Sequence, residues 1–426
     1  MMSHVCESTV LRRQLGLTGA VLLGLGAMLG TGVFVSIGLA AATAGAWLPA
    51  AIVLAGAVAL CNGLSAAQLA AAYPVSGGTY EYAYRTLTPA LGFSAGWLFL
   101  VAKSASAATA ALALAGLAAD LTGMPFIGQV PVALAVTALF TALVAGGLRR
   151  SNRANSLLVG FTLAALSALV GAGLWGSPGS APIEAAGAGG SPAGILGAAA
   201  LMFVAFTGYG RIATLGEEVV APRRVIPRAV IITMGVATAL YIGVALTAMT
   251  VLSPAELGRL TQTRGAPLPA VAYQLGGAGL AWFIALAAIT AMMGVLVNLL
   301  LGLSRVVLAM ARRCDLPAGL SRLTGRDPSP RAAVWAVGLM IGAWVCVGRI
   351  GVTWSFSAVT VLVYYALTNL AALRLGPAER LYPPGIPVAG LFGCLGLAVW
   401  IAPVYWLVAA GILLVGFGVR ALSPRR

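Results

Sequence analysis

The chain has 426 residues, of which 60% are hydrophobic and only 8% are charged, and its mean hydropathy is +0.99. Soluble domains carry about 25% charged residues, so this composition excludes a soluble globular fold. The formal net charge of +15 raises nucleic-acid binding as an alternative, but the arginines are distributed as in a membrane protein and exclude that class.

Apolar runs long enough to cross a bilayer follow one another from Leu15 to Val419. A membrane helix needs roughly 20 mostly apolar residues. Twelve helices fit, at 15–43, 46–72, 91–118, 128–148, 155–175, 193–216, 226–252, 276–311, 331–348, 352–374, 386–401 and 403–421. Lipid offers backbone groups no hydrogen-bond partner, and the runs lack the alternation of a membrane barrel. We therefore predict an all-α integral membrane protein.

Arginines mark one side of the membrane. Twenty of them lie in the tails and alternate loops, on the side of Arg12 and Arg420, whereas Arg259, Arg264 and Arg349 lie on the other side. By the positive-inside rule the arginine-rich side faces the cytoplasm, so both termini are cytoplasmic and the helix number is even. The first run is too long for a signal peptide and is kept as helix 1. We expect a multi-pass protein of the cell inner membrane that contacts anionic lipids.

Glycines interrupt two of the predicted helices. Helix 1 carries GLGAMLGTGVF (Gly24 to Phe34), and helix 6 carries AFTGYGR (Ala205 to Arg211). Both interruptions fall in the first helix of a half if helices 1–5 and 6–10 are two repeats. Such a pair indicates an inverted-repeat transporter with its site near the middle of the membrane. The alternative, close helix packing through glycine, accounts for one segment better than for both together.

This division predicts five regions along the chain. They are a cytoplasmic N-terminal tail (1–14), repeat 1 with helices 1 to 5 (15–175), repeat 2 with helices 6 to 10 (193–374), helices 11 and 12 (386–421) and a cytoplasmic C-terminal tail (422–426).

A break in a membrane helix creates a binding site for a zwitterion. One half-helix begins with free amide N–H groups and carries a partial positive charge from its helix dipole. The other half-helix ends in free carbonyls and carries a partial negative charge. A carboxylate would lie on the amides near Thr31 and Gly32, and an ammonium would donate to carbonyls near Met28 and in 205–207.

Four separated motifs of the sequence form a set. They are GAMLGTGVF (Gly26 to Phe34), LAAAYPVSGGTYEYAYRTLTPALGFSAGWLFL (Leu69 to Leu100), AFTGYGRIATLGEEVVAPRRVIPRA (Ala205 to Ala229) and LLLGLSRVVLAMARRCDLP (Leu299 to Pro317). In this order and spacing the chain resembles the amino acid-polyamine-organocation (APC) superfamily of permeases over nearly its whole length. The resemblance implies a five-plus-five inverted-repeat core, helices 1 and 6 unwound around the substrate, and alternating access.

The resemblance also assigns residues to the site. Thr31 and Gly32 stand where the family binds the substrate carboxylate, and 205–208 line the other side, with Phe206 as an aromatic lid. The break geometry and the resemblance together predict a substrate-binding set of Met28, Gly30, Thr31, Gly32, Ala205, Phe206, Thr207 and Gly208.

Three positions depart from the family pattern. The usual GFE after the break of helix 6 is Gly208-Tyr209-Gly210 here, so a common carboxylate is absent. A glutamate usual in helix 2 is replaced by Gln68. Some proton-coupled members carry a lysine in helix 5, and the alignment places Thr162 there.

Lys103 is the one lysine of the chain and lies about 12 residues, or roughly 18 Å, into helix 3. A lysine at the bilayer centre costs about 2.5 to 3.5 kcal/mol to insert, so such residues usually face a cavity or a partner. Lys103 and Thr162 are therefore the candidates for ion or proton coupling. The structural alternatives for Lys103 are a cation that satisfies carbonyls at the break of helix 1 and a side chain that snorkels.

The remaining polar residues do not indicate an enzyme. The sequence has no HExxH or Walker motif, the sole histidine is His4 in the tail, and the cysteines lack metal-ligand spacing. Ser104 or Ser106 beside Lys103 is the one outline of a nucleophile and base. Arg211, Glu217 and Glu218 follow the break of helix 6, where ion pairing in a loop is favoured over a gate. We expect no cofactor and no bound metal.

The sequence thus predicts a secondary active transporter of an amino acid, either proton-coupled or exchanging. A neutral substrate is favoured because no acidic residue lies near either break. The alternatives are an amine or polyamine antiporter or an amino acid exporter on the same fold, and more remotely a channel-like or non-transporting membrane protein. The expected partners are the amino acid or amine, protons and membrane lipids; the oligomeric state is not determined by the sequence.

Overall fold

A computed structural model describes residues 15–73, 77–123, 128–147, 152–175, 191–213, 219–323 and 330–422. Over these residues the chain forms helices joined by turns, with one isolated backbone bridge between Leu15 and Val219. The predicted all-α class is confirmed, and helices 1 and 6 are both broken. The division into two repeats, at the residues given above, stays a prediction.

The described helices match the twelve predicted spans in order. They are α1 (17–44, in pieces), α2 (Leu48–Ala72), α3 (Pro89–Thr122), α4 (Gln129–Ala145), α5 (Asn152–Trp175), α6 (Pro192–Ala213, in two pieces), α7 (Pro222–Met249), α8 (Leu268–Arg312), α9 (Arg331–Val345), α10 (Ile350–Leu373), α11 (Gly385–Ala398) and α12 (Pro403–Leu422). Within the described chain, nine helical segments are long and apolar enough to cross a membrane, and α4, α9 and α11 are shorter apolar helices.

Helix ends follow ordinary capping chemistry. The side chain of Thr88 accepts a hydrogen bond from the Leu91 amide at 3.3 Å, and Pro89 occupies the first turn of α3. Proline suits this position because its missing N–H would have no helical partner there. At the other end Gly123 adopts φ +69°, the left-handed conformation that glycine tolerates. These caps make α3 longer than the predicted span 91–118.

Helix α3 lies at the centre of the bundle. Within its most apolar stretch 94% of the residues are buried, against 6% for α12. Hydroxyl pairs join α3 to α10, with Ser106 2.7 Å from Ser357 and Thr109 2.7 Å from Thr353. Such pairs satisfy polar side chains where no water is available. Helix α3 is thus a fixed, enclosed element, and it is the helix that carries Lys103.

Two helices in loops were not predicted. We call them the α2–α3 loop helix (Thr79–Thr86) and the α7–α8 loop helix (Pro254–Arg264). The second packs against the last piece of α1, Ser36–Ala44, so closely that a Cβ on Gly258 would lie 2.5 Å from the Ala42 Cβ. An ion pair of 3.2 Å between Arg264 and Asp120 ties the same loop helix to α3. The loop helix therefore covers this end of the bundle.

The opposite end of the bundle, where Arg85, Arg313 and Arg420 lie, is called the basic end below. Here Asp315 accepts hydrogen bonds from the hydroxyls of Tyr80 at 2.8 Å and Tyr84 at 2.5 Å and pairs with Arg420 at 2.8 Å. Burial and the hydrogen bond to Asp315 raise the pKa of both tyrosines well above the usual range, so both remain donors. We call this group the basic-end clamp; it joins the α2–α3 loop helix, α8 and α12.

Replacing Asp315 by alanine tests the clamp. The Asp315 side chain is 4% exposed, and its loss leaves Arg420 and two hydroxyls without their shared acceptor. Breaking a buried ion pair on one side costs about 3 to 5 kcal/mol. We expect Asp315→Ala to lower the thermal denaturation midpoint in detergent strongly. The matched control is Glu256→Ala, which removes an exposed ion pair with Arg259 and should change the midpoint little. Equal midpoints for the two variants would contradict the role of the clamp.

Candidate functional site

Helix α1 is interrupted near its middle. Its first piece, Leu17–Met28, ends before Leu29 and Gly30, and a second piece, Thr31–Phe34, follows. Gly30 has the non-helical dihedrals φ −147° and ψ −120°, and its carbonyl accepts from the amides of Val33 and Phe34. The amides of Thr31 and Gly32 therefore begin a helical piece with no preceding turn to bond them.

Helix α6 is interrupted at the level of the α1 break. Its outer piece is Pro192–Phe206, and its inner piece is Tyr209–Ala213. Thr207 and Gly208 form a turn between them, in which the Gly210 amide donates to the Thr207 carbonyl at 3.2 Å. The last carbonyls of the outer piece consequently point into the space between the two pieces.

The two breaks touch each other at two points. A Cβ built on Gly32 would lie 2.9 Å from the Ala205 Cβ, and one built on Gly208 would lie 2.6 Å from the Met28 Cγ. Any larger residue at either position would force the helices apart. The structure thus brings Met28 and Gly32 of α1 against Gly208 and Ala205 of α6, whereas Gly30 faces Val295 of α8. All eight residues of the predicted substrate-binding set are buried.

A tyrosine from α7 bridges the breaks. The Tyr241 hydroxyl lies 2.9 Å from the Met28 carbonyl oxygen and 3.2 Å from the Ala205 carbonyl oxygen. These are carbonyls that the sequence assigned to a substrate ammonium. The Tyr241 ring lies 5.1 Å from the Phe206 ring. Gly56 of α2 also lies close to the Phe206 ring. Phe206 thus packs between α2 and α7 in this structure.

Lys103 reaches the break of α6. Its side chain is buried, and its Nζ donates to the Thr207 Oγ1 at 2.5 Å. The Thr207 hydroxyl in turn donates to the Val204 carbonyl at 2.6 Å. The ammonium therefore lies at the carboxyl end of the outer piece of α6, where the helix dipole favours a cation. The hydrogen bond of Lys103 therefore goes to the break of α6 rather than to carbonyls at the break of α1, and its role in coupling stays a prediction.

Thr162 is buried in α5, and its hydroxyl donates to the Leu158 carbonyl of the same helix at 2.9 Å. Helix α5 packs on the first piece of α1, Leu17–Met28, where a Cβ on Gly26 would lie 2.7 Å from Val159. Among the described residues no hydrogen bond joins Thr162 to Lys103. The two predicted coupling residues therefore belong to different surroundings.

An aromatic cluster next to Lys103 was not predicted. The Tyr365 hydroxyl of α10 donates to the Thr207 carbonyl at 3.2 Å. Its ring lies 5.2 Å from Tyr209, 5.7 Å from Phe203 and 4.8 Å from Tyr364. Sequence reasoning missed Tyr241 and Tyr365 because an aromatic residue inside an apolar helix carries no signal of its partner. Their buried polar hydroxyls are the feature by which they could have been found.

The described carboxylates all lie at the ends of the bundle, each with a partner. Asp120 and Glu256 pair with arginines at one end, and Glu81, Asp315 and Glu379 have arginine or tyrosine partners at the basic end. In the part of the chain that the structure describes, no carboxylate therefore accompanies Lys103 in the middle of the membrane. Glu217 and Glu218 lie outside the described residues, and Arg211 lies on the inner piece of α6 facing Gly302 of α8.

The serines near Lys103 have partners elsewhere. Ser104 donates to the Met340 sulfur at 3.1 Å, and Ser106 pairs with Ser357. A nucleophilic serine and a lysine base must lie within hydrogen-bond reach of each other, and Lys103 bonds Thr207 instead. Within the described ranges no group of three His, Cys, Asp or Glu residues could hold a metal ion.

In the described part of the chain, apolar helices of membrane-spanning length, with α1 and α6 broken and in contact at their breaks, define a multi-pass membrane transporter. The sequence profile of the amino acid permease family matches residues 19–424. The chain therefore belongs to the amino acid permease family. This confirms the resemblance that the four motifs indicated.

Individual relatives cover almost the whole chain. An uncharacterised transporter of Mycobacterium tuberculosis is 40% identical over 420 residues, covering 98% of this chain and 92% of the relative. The branched-chain amino acid permease of Bacillus subtilis is 28% identical over 98% of this chain and 94% of its own. The methylthioribose transporter of the same bacterium is 27% identical, with 100% and 96% covered.

Removing the hydroxyl of Tyr241 tests how the breaks are satisfied. Tyr241→Phe leaves the carbonyls of Met28 and Ala205 without this donor in a buried site. An unsatisfied buried group costs about 1 to 3 kcal/mol, so we expect a lower denaturation midpoint in detergent. Tyr273→Phe is the matched control, because Tyr273 is 62% exposed. Unchanged midpoints for both variants would show that the hydroxyl does not satisfy these carbonyls.

Proposed function

We propose that this protein is a secondary active transporter that moves an amino acid across the cell inner membrane by alternating access. The observation that carries the proposal is the contact between the two breaks, Gly32 against Ala205 and Gly208 against Met28. This contact places the amide end of one half-helix beside the carbonyl end of another. Those are the two complementary ends that an amino acid zwitterion requires.

Each charged group of the substrate has a place in this arrangement. The carboxylate lies on the amides of Thr31 and Gly32. The ammonium donates to the carbonyls of Met28 and Ala205, and in doing so replaces the Tyr241 hydroxyl. Since both sets of groups belong to the backbone, they recognise the part common to all amino acids. The substrate side chain then faces the neighbouring helices.

A neutral amino acid is the favoured substrate. Among the described residues no carboxylate lies near the breaks to receive a second ammonium, and the cation of Lys103 repels one. The relatives' names include a branched-chain amino acid permease, which agrees with an uncharged side chain, and a methylthioribose transporter. The substrate therefore has to be found by experiment rather than read from the family.

The orientation follows from charge. The basic end, with the clamp and most of the arginines, faces the cytoplasm, and both termini lie there. The α7–α8 loop helix then covers the outer side of the site. Transport is coupled to protons or proceeds by exchange, and Lys103 is the residue that would couple it, because its ammonium is bonded to Thr207 in the break itself.

A binding screen identifies the substrate. Purified protein is tested by thermal shift against the twenty amino acids and the common polyamines, since a ligand at 100 times its dissociation constant adds about 2.7 kcal/mol of stability. We expect one group of neutral amino acids to raise the midpoint. Gly32→Val should abolish the shift, because its side chain fills the space against Ala205 and Tyr241. A shift by polyamines alone would replace this function with amine transport.

The control for the screen is Gly160→Val. Gly160 lies on α5 with no other atoms within 4 Å of a built Cβ, so this variant should keep the ligand shift. In liposomes the protein should show saturable counterflow of the same amino acid. Flux without counterflow would contradict a carrier and favour a channel.

A further inference from the structure

The carboxyl end of the outer piece of α6 is already occupied by donors of the protein itself. Lys103 from α3 donates to the Thr207 Oγ1, Tyr365 from α10 donates to the Thr207 carbonyl, and Tyr241 from α7 lies on the Ala205 carbonyl. Three different helices thus supply hydrogen bonds to two residues of this helix end, Ala205 and Thr207. One of these donors is an ammonium, the same chemical group that an amino acid would bring there.

No described anion balances this ammonium. The titratable groups nearest to it on the surrounding elements are the hydroxyls of Tyr209, Tyr241, Tyr364 and Tyr365 and the buried thiol of Cys394, and the next cation along α6 is Arg211. The described carboxylates lie at the ends of the bundle with partners of their own. What favours a cation at this point is therefore the partial negative charge of the helix end.

Two ammonium groups cannot share one helix end. The partial charge of a helix terminus is about half an elementary charge, too little to hold two cations in an enclosed apolar site. A substrate ammonium on the Ala205 carbonyl lies within one helical turn of Thr207, where Lys103 binds. Binding of the substrate therefore favours loss of the Lys103 proton, and protonation of Lys103 favours loss of the substrate.

We propose, on the basis of the function proposed above, that Lys103 and the substrate compete for this helix end and make the protein an amino acid/proton antiporter. When substrate binds, an N–H bond of the Lys103 ammonium breaks and the proton passes to water on the side from which substrate entered. The carrier crosses with substrate and a neutral Lys103. After substrate leaves, Lys103 takes a proton from water on the new side, and the carrier returns.

The tyrosines permit the return without substrate. Carbonyls left without donors would oppose closure of the site in a lipid environment. The hydroxyl of Tyr241 lies on the carbonyls of Met28 and Ala205, and Tyr365 and the ammonium of Lys103 donate to Thr207, so the protonated carrier can enclose its site and cross. The net reaction exchanges one substrate molecule for one proton.

The direction of the pH gradient tests this mechanism. Wild-type protein is reconstituted in liposomes, with the membrane potential clamped by potassium and valinomycin, and uptake of labelled L-leucine, or of the amino acid with the strongest counterflow, is measured. We expect accumulation when the lumen is acidic. A gradient of about one pH unit supports about tenfold accumulation for one proton per substrate. Accumulation driven by an acidic exterior, or none with either gradient, would overturn the proposal.

Two substitutions of Lys103 separate competition from cotransport. Lys103→Gln is neutral, so counterflow should persist while accumulation driven by the acidic lumen falls about tenfold to the equilibrium level. Lys103→Arg keeps a permanent cation at the helix end, so counterflow should fall at least about tenfold. Arg259→Gln, on the α7–α8 loop helix, is the control and should behave as wild type. The reverse order, with Arg active and Gln inactive, would indicate symport and overturn the proposal.

A measurement without variants covers the case in which the substitutions prevent folding. Addition of the same amino acid to purified wild-type protein in weakly buffered detergent should release protons, up to about one per site, and the released protons are followed with a pH indicator. Proton uptake or no change would contradict competition. Absence of counterflow by the wild type with every amino acid would instead refute the proposed function itself.

Discussion

Lipid offers no hydrogen-bond partner to backbone groups, and this constraint matters most at the two broken helices. The breaks of α1 and α6 leave polar groups without partners in their own helices, and three other helices supply donors to these groups. Tyr241 of α7 serves Met28 and Ala205, Tyr365 of α10 serves the Thr207 carbonyl, and Lys103 of α3 binds the Thr207 hydroxyl. The helices that surround the breaks are thereby fixed in position around one point, and a ligand that enters must exchange with donors already there.

The distribution of charge separates the ends of the bundle from its middle. At the ends, ion pairs and the basic-end clamp join loop helices to α3, α8 and α12. In the described middle of the bundle, hydroxyl pairs hold α3 against α10, and Lys103 is held at a helix end without a described carboxylate. A cation in such a place responds to any second charge that arrives, because no described counter-charge screens it. The proposed link between substrate binding and proton binding rests on this single lysine.

Much of the fold was predictable. The lengths of the apolar runs predicted the twelve helices, and the paired glycine segments predicted both breaks. Both features are local in the sequence, and the free energies that they reflect are large compared with that of any single contact. The errors lie at helix ends and in loops. Helix α8 was predicted from 276, and non-helical dihedrals at Gly276 and Gly277 do mark a break there, but a further helical piece from Leu268 precedes the break and was not predicted. The two loop helices are short and depend on packing against the bundle, so hydropathy gave no signal for them.

For the site, the sequence by itself determined which backbone segments are broken and that Lys103 lies deep in the membrane, since spacing, glycine content and insertion cost are properties of the chain alone. Only the tertiary structure decided what the lysine touches. Its partner Thr207 is distant in sequence, as Tyr241 is from Met28, and which side chains meet across such distances depends on how the helices rotate and pack. For the same reason the sequence did not show that the Thr162 hydroxyl bonds a carbonyl of its own helix and not Lys103.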